Sequence, residues 1–195
     1  MSPTPCASRR TFMKQATAGL ALSSSAALPL PAIAADGLKN EICTFTKPLQ
    51  HLSYQDLAKE MAMIGFDGIE APIRPKGHFE PEQVDDELPL MVEALKNDGL
   101  NLTILTSGIN EVSDEQRTEA VLKTAADLGV KRFRMAYYKY DLDEPIAPQL
   151  DEFRAKLKDL VALTDELGIK PIYQNHSGKN YFGGPLWDLA EVLDD

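Results

Sequence analysis

Cysteine is almost absent: the 195 residues hold two, Cys6 and Cys43. Cys6 precedes the apolar part of an N-terminal stretch that reads as a removable signal, and it is not placed like a lipoprotein cysteine. One thiol would then remain, so no internal disulfide is expected even in an oxidising compartment. Basic residues are few, 20 Lys and Arg against 30 Asp and Glu, for a net charge of -10. So acidic a chain repels nucleic acid and anionic lipid through its overall field, which leaves room only for a local basic pocket. Past the N-terminal stretch, no apolar run approaches the roughly 20 residues that a membrane span needs. A glycine-rich phosphate loop is also missing. The first strand is followed by Thr46-Lys47-Pro48-Leu49-Gln50, without the glycines that let an open dinucleotide-binding sheet approach a phosphate.

What is present begins with an export signal. Ser8-Arg9-Arg10-Thr11-Phe12-Met13-Lys14 places paired arginines ahead of an aromatic, an apolar residue and a lysine. A mildly apolar stretch from Ala16 to Ala34 comes next and ends in Ala32-Ile33-Ala34, a small-x-small cleavage site. The twin arginine marks the Tat route. The competing reading, a membrane anchor, is disfavoured by weak hydrophobicity and by Pro29 and Pro31. The expected organisation is a Tat signal peptide over residues 1–34 and one domain over residues 35–195. The expected location is the periplasm or another exported site, with the Tat translocase as a transient partner. Cleavage removes three positive charges and no negative ones, which takes the net charge from -10 to -13.

The remainder repeats one unit, in which a helical stretch ends in Gly plus an apolar residue and leads into a short strand. Gly65-Phe66, Gly99-Leu100, Gly129-Val130 and Gly168-Ile169 lead into strands near Gly68–Glu70, Leu102–Thr106, Arg132–Met135 and Pro171–Gln174. An earlier strand, Glu41–Phe45, opens the series. Each glycine stands where a helix C-cap needs a left-handed residue. Between them, apolar residues recur at three- and four-residue steps: Tyr54, Leu57, Ala58, Met61 and Ile64; Leu90, Val92 and Leu95; Ala120, Val121, Thr124, Ala125 and Leu128; Phe153, Leu157, Leu160, Val161, Thr164 and Leu167. Ser53 is expected to cap the first helix, and Ser113-Asp114-Glu115-Gln116 reads as a capping box. The pattern is α/β with a parallel sheet. An open sheet and a closed (β/α)8 TIM barrel both fit it. The barrel is favoured because polar residues stand at nearly every strand's C-terminal end, where a barrel gathers one shared site. A barrel of this kind takes roughly 250 residues, and about the first five β/α units are present here. The sequence stops at Asp195 inside what reads as the fifth helix, so it is expected to be truncated at its C-terminal side.

Three segments carry a family resemblance. Ile64-Gly65-Phe66-Asp67-Gly68-Ile69-Glu70 resembles the second strand of xylose isomerase-like TIM barrels, a superfamily of sugar phosphate isomerases and epimerases, inosose dehydratases and family-2 AP endonucleases. Ile172-Tyr173-Gln174-Asn175-His176-Ser177-Gly178 resembles the fifth strand, and Phe182-Gly183-Gly184-Pro185-Leu186-Trp187-Asp188 resembles the loop and helix after that strand. The resemblance implies a divalent metal (Mn, Mg, Co or Zn) held by carboxylates and a histidine from strands five to eight. It also implies proton transfer between adjacent carbons of a carbohydrate or polyol. The position that often holds the first Glu ligand is Gln174 here, and an amide oxygen is a weaker ligand for a hard cation. Gln174 as metal ligand, as substrate contact, and as the mark of a member that lost its metal all stay open.

Glu70 and His176 are the candidate catalytic residues. For Glu70 the structural alternative is an ion pair inside the barrel mouth with Arg74 or Arg134, and for His176 it is a loop histidine bonded to backbone. Tyr138, Lys139 and Asn175 are candidate substrate contacts, with loop cover as the alternative for the tyrosine. His78 is expected in solvent on a long loop, His51 at the surface and Trp187 in the core. The leading expectation is an exported sugar isomerase- or epimerase-like enzyme. The alternatives are a lyase or dehydratase on an oxidised sugar and a non-catalytic carbohydrate-binding barrel. A homo-oligomer is left open.

Overall fold

The computed structural model describes residues 40–193, so the signal-peptide expectation lies outside the described residues. Five strands alternate with five helices: β1 Cys43–Phe45, α1 Tyr54–Ile64, β2 Gly68–Ile73, α2 Val84–Asn97, β3 Asn101–Ser107, α3 Thr118–Asp127, β4 Arg132–Arg134, α4 Ile146–Leu167, β5 Lys170–Ile172 and α5 Leu186–Leu193. The strands form one parallel sheet in sequence order, β1-β2-β3-β4-β5. That order, with a helix after each strand, is the first five units of a (β/α)8 barrel and not the reversed order of a doubly wound sheet. Among the described residues no helix is long and apolar enough to cross a membrane.

The repeated glycines do what the sequence assigns them. Gly65, Gly99, Gly129 and Gly168 all have φ between +70° and +98°. At α1 and α4 the Gly65 and Gly168 N–H groups turn back onto the last helical carbonyls. Ser53 caps α1 by accepting from the Asp56 N–H at 3.1 Å. The reading at Ser113 needs correction. Its hydroxyl does accept from the Gln116 N–H, but the Gln116 side chain bonds Asn110 and the Glu111 N–H, and α3 begins only at Thr118.

The core lies between the outer face of the sheet and the helices. Ile69, Ala71 and Ile73 on β2, Leu105 on β3 and Phe133 on β4 are buried against Leu57, Met61, Leu88, Met91, Leu95, Leu122 and Leu160. Strand side chains alternate in direction, so Glu70, Thr106 and Arg134 turn to the other, barrel-inward face. Leu90, expected on the buried stripe of α2, is 53% exposed, and Leu88 and Met91 bury in its place. Trp187, expected in the core, is 82% exposed on α5. The residue that fills the core there is Phe182, just before the helix.

Candidate active site

Two groups of polar side chains form where the strands end. The first is a line across the inward face. Parallel register sets Thr106 beside Arg134 and carries the line from β2 to β4. The Thr106 hydroxyl donates to Glu70 Oε1 at 2.5 Å. Arg134 Nη1 stands 3.2 Å from the same oxygen and donates to Gln174 Oε1 at 2.6 Å. The Glu70 and Arg134 side chains keep 15% exposure each, and the Arg134 guanidinium lies 4.8 Å over the Phe45 ring. The sequence names Arg134 only as one of two alternative partners for Glu70, and the structure selects it over Arg74. Cys43 lies on β1 beside this line. Burial first, and then the Glu70 charge, push its thiol up, so it stays protonated and is a poor nucleophile.

The second group sits on the segment after β5. The His176 ring stacks on Tyr181 with centroids 4.7 Å apart and meets Tyr137 edge-on at 5.2 Å. Its Nδ1 donates to the Ser177 carbonyl at 2.7 Å. A carbonyl only accepts, so Nδ1 carries the hydrogen and the neutral ring keeps its lone pair on Nε2. Lys139 Nζ lies 5.1 Å from the Tyr181 ring centroid. Lys139 and Asn175 are both exposed. A backbone bridge from Lys139 to Tyr181 and bonds from Tyr140 N to Asn180 O and Phe182 N to Tyr138 O pin this segment to the one after β4. Gln174 belongs to the first group and His176 to the second, so the two groups meet on one short stretch of chain.

Tyr138 takes a different place from the substrate-contact role assigned to it. It is 3% exposed, its ring stacks on Phe153 at 4.7 Å, and its hydroxyl donates to the Asn110 carbonyl. It is a core residue, because this part of the chain packs Tyr138 and Tyr140 around Phe182. The half-buried Tyr137 is the aromatic that reaches the His176 group.

His78 is the residue that sequence reasoning undervalued. It is half-buried on the β2–α2 loop, with Nε2 2.9 Å from the hydroxyl of Thr46, a residue buried beside the end of β1. No local sequence signal joins positions 46 and 78. A groove of about 360 Å3 among Leu102, Thr103, Val130 and Arg132 lies at the strands' opposite, N-terminal ends, a face that serves stability in barrels of this kind.

The donor set does not suit a divalent metal at Gln174. The amide oxygen that would ligate it already accepts from a guanidinium, and the nearest carboxylate, Glu70, is paired with the same cation. A second positive charge placed between them would meet Arg134 at close range. Among the described residues no three His, Cys, Asp or Glu side chains cluster as metal ligands would. Gln174→Ala is therefore expected to leave unchanged the Mn2+ or Zn2+ that the purified protein retains after dialysis. One retained equivalent that disappears in Gln174→Ala would refute this.

A family model described as xylose isomerase-like TIM barrel matches residues 58–195. Solved structures share the fold. The probable 3-DHS dehydratase AsbF from Bacillus anthracis is 17% identical, with a TM-score of 0.62, over 80% of this chain and 58% of that one. The 3-keto-D-glucoside 4-epimerase YcjR from E. coli is 17% identical, with a TM-score of 0.53, over 79% and 65%. The IOLI protein with a bound zinc atom is 17% identical, with a TM-score of 0.58, over 80% and 58%. The chain thus spans less than two thirds of the length of these structures. A search of curated proteins finds no significant match.

Proposed function

Because the chain belongs to the xylose isomerase-like TIM barrel family, we propose that it is a sugar isomerase- or epimerase-like enzyme that moves a proton between adjacent carbons of a carbohydrate or polyol. The observation that carries the reading is the Glu70–Arg134–Gln174 line. It sets a carboxylate, a fixed cation and an amide side by side on the inward face of the strands. Arg134 uses Nη1 on both partners, which leaves the rest of its planar fork of donors for a substrate oxygen. A cation at that point stabilises the negative charge that develops on a carbonyl oxygen when the neighbouring carbon loses its proton. His176, with the lone pair of its neutral ring on Nε2, is a proton carrier for the same step, and the Tyr137 and Tyr181 rings beside it offer faces to a sugar. No step is assigned to a metal. We further propose that residues 1–34 direct export by the Tat route and that the enzyme works in the periplasm or another exported location.

A dehydratase reading is kept because an elimination would begin with the same proton removal, and a structural neighbour is a probable dehydratase. A non-catalytic carbohydrate-binding barrel is favoured by one observation, the amide at Gln174 engaged by Arg134. One experiment separates the three. Ketoses and keto-sugars are incubated with the complete protein in D2O and followed by NMR. Deuterium appearing at the carbon beside the carbonyl, with an epimer or isomer, is the expected result. Loss of water with a new double bond would indicate the dehydratase. Ligand shifts without exchange would leave the binding barrel, and neither shifts nor exchange across a broad sugar panel would refute all three.

A further inference from the structure

We propose that His78 is a proton-accepting group at the mouth of the sheet, fixed in one tautomer by Thr46. Hydrogen counting sets that tautomer. The Thr46 hydroxyl lies 3.0 Å from the Glu70 carbonyl and 2.9 Å from His78 Nε2. A hydroxyl has one hydrogen, and a carbonyl oxygen can only accept. If that hydrogen pointed at the imidazole, the hydroxyl and carbonyl oxygens would face each other 3.0 Å apart with nothing between them. Giving it to Glu70 satisfies both contacts, so Nε2 must donate to Thr46. A neutral imidazole with its hydrogen on Nε2 carries a lone pair on Nδ1. Among the described residues Nδ1 has no partner.

The loop is built to hold this arrangement. The Gly77 N–H bonds the Arg74 carbonyl at 2.7 Å and the His78 N–H bonds the Pro72 carbonyl at 2.8 Å. A Cβ at position 77 would come within 2.4 Å of the Pro72 carbonyl, so the turn admits only glycine. Lys76, at φ +63°, is held from both sides, by the Gln50 amide on its carbonyl and by Glu80 on its N–H. Phe79, 5% exposed, packs edge-on to Tyr54 and seats the next residue in the core. His78 is therefore fixed where the sequence suggested a solvent-exposed loop.

Burial lowers the His78 pKa from its ordinary 6.5 and is the cause of the shift. The charged residues along the packed segments are Lys47, Glu70, Arg74, Lys76 and Glu80. The ring is thus neutral at neutral pH, as a hydrogen-bond or proton acceptor must be. The unfolded chain binds the extra proton between 6.5 and the lower folded value. Stability from this group is therefore complete above 6.5 and falls as pH drops through that window. The proposed function is needed only to say what the acceptor serves, a substrate hydroxyl or an acidic C–H. The geometry is tested without any substrate.

The test uses the complete protein labelled with 15N, whose three histidines are observed by long-range 1H–15N correlation from about pH 5 to about pH 8. His78→Gln assigns the signal. The expected result is a bare Nδ1 and a protonated Nε2 at neutral pH, with a midpoint below 6.5. Thr46→Ser should keep the single tautomer and Thr46→Val should release it into a mixture. Diethyl pyrocarbonate should acylate His78 on Nδ1 at neutral pH, as mapped by peptide mass. A hydrogen on Nδ1, a midpoint at or above 6.5, an unchanged tautomer in Thr46→Val or an unreactive His78 would each overturn the proposal. None of these outcomes depends on whether a sugar is turned over.

Discussion

Replacing Arg134 with methionine is expected to cost about 3 kcal/mol of stability, near the low end for removing one partner of a buried ion pair. It is also expected to abolish deuterium exchange into any substrate. The stability effect comes from what is left behind. Glu70 would keep the Thr106 hydroxyl but lose its cation while remaining 15% exposed. Methionine is of similar length and still packs on Phe45, so the charge and its donors are what the change removes. A denaturant titration reads the stability change. The double variant Glu70→Gln with Arg134→Met separates the two effects, since a neutral amide no longer strands a charge. Stability should return in large part while exchange stays absent. If Arg134→Met alone keeps wild-type stability and exchange, the line from Glu70 to Gln174 is not the centre of the site.

That line is partly readable from the sequence alone. Strand alternation turns Glu70 away from the buried Ile69, and the β/α repeat with its helix-ending glycines places β2, β4 and β5 in one parallel sheet. What alternation could not supply is the lateral register, which includes an irregularity between Ile69 and Glu70 against β3. That register decides that Arg134 and not Arg74 meets the carboxylate. The Tyr137–Tyr140 segment is the hardest to read. Residues 135–145 form no helix or named strand, so neither the two-residue nor the 3.6-residue period says which tyrosine is buried. The answer, Tyr138, comes from packing on Phe153, which belongs to the next helix. His78 escapes notice for a similar reason. Its position is set by a contact with Thr46, 32 residues away, and by a turn whose need for Gly77 is visible only as a close approach to the Pro72 carbonyl. Trp187 shows the converse. It fits an apolar helical pattern, yet among the described residues it is 82% exposed, while Val192 is the residue of that helix that buries.

Phe182→Ala is expected to have an effect at least as large, about 3–5 kcal/mol, the usual range for truncating a buried phenylalanine. The ring is 1% exposed and lies between 5.4 and 6.4 Å from those of Tyr138, Tyr140, Phe153 and Tyr173. Two backbone bonds meet at the same residue. Its N–H donates to the Tyr138 carbonyl, and its carbonyl accepts from the Tyr173 hydroxyl, whose pKa burial pushes up to about 12. Phe182 is thus the anchor that holds the stretch from Gln174 to Pro185 against the segment after β4. That stretch carries His176 and Tyr181, the second half of the site. A cavity here would loosen the segment before it unfolds the sheet, because the ring's aromatic partners all lie between Tyr138 and Tyr173. The expected signature is therefore double. The global melting midpoint should fall, and limited proteolysis should first cut between residues 174 and 185 while the fragment up to β4 persists. Phe182→Leu should restore most of the protection, since a volume-similar apolar side chain still fills the space. Cleavage spread evenly along the chain, with no preference for this segment, would mean that the aromatic cluster supports the whole fold and that His176 is held by other contacts.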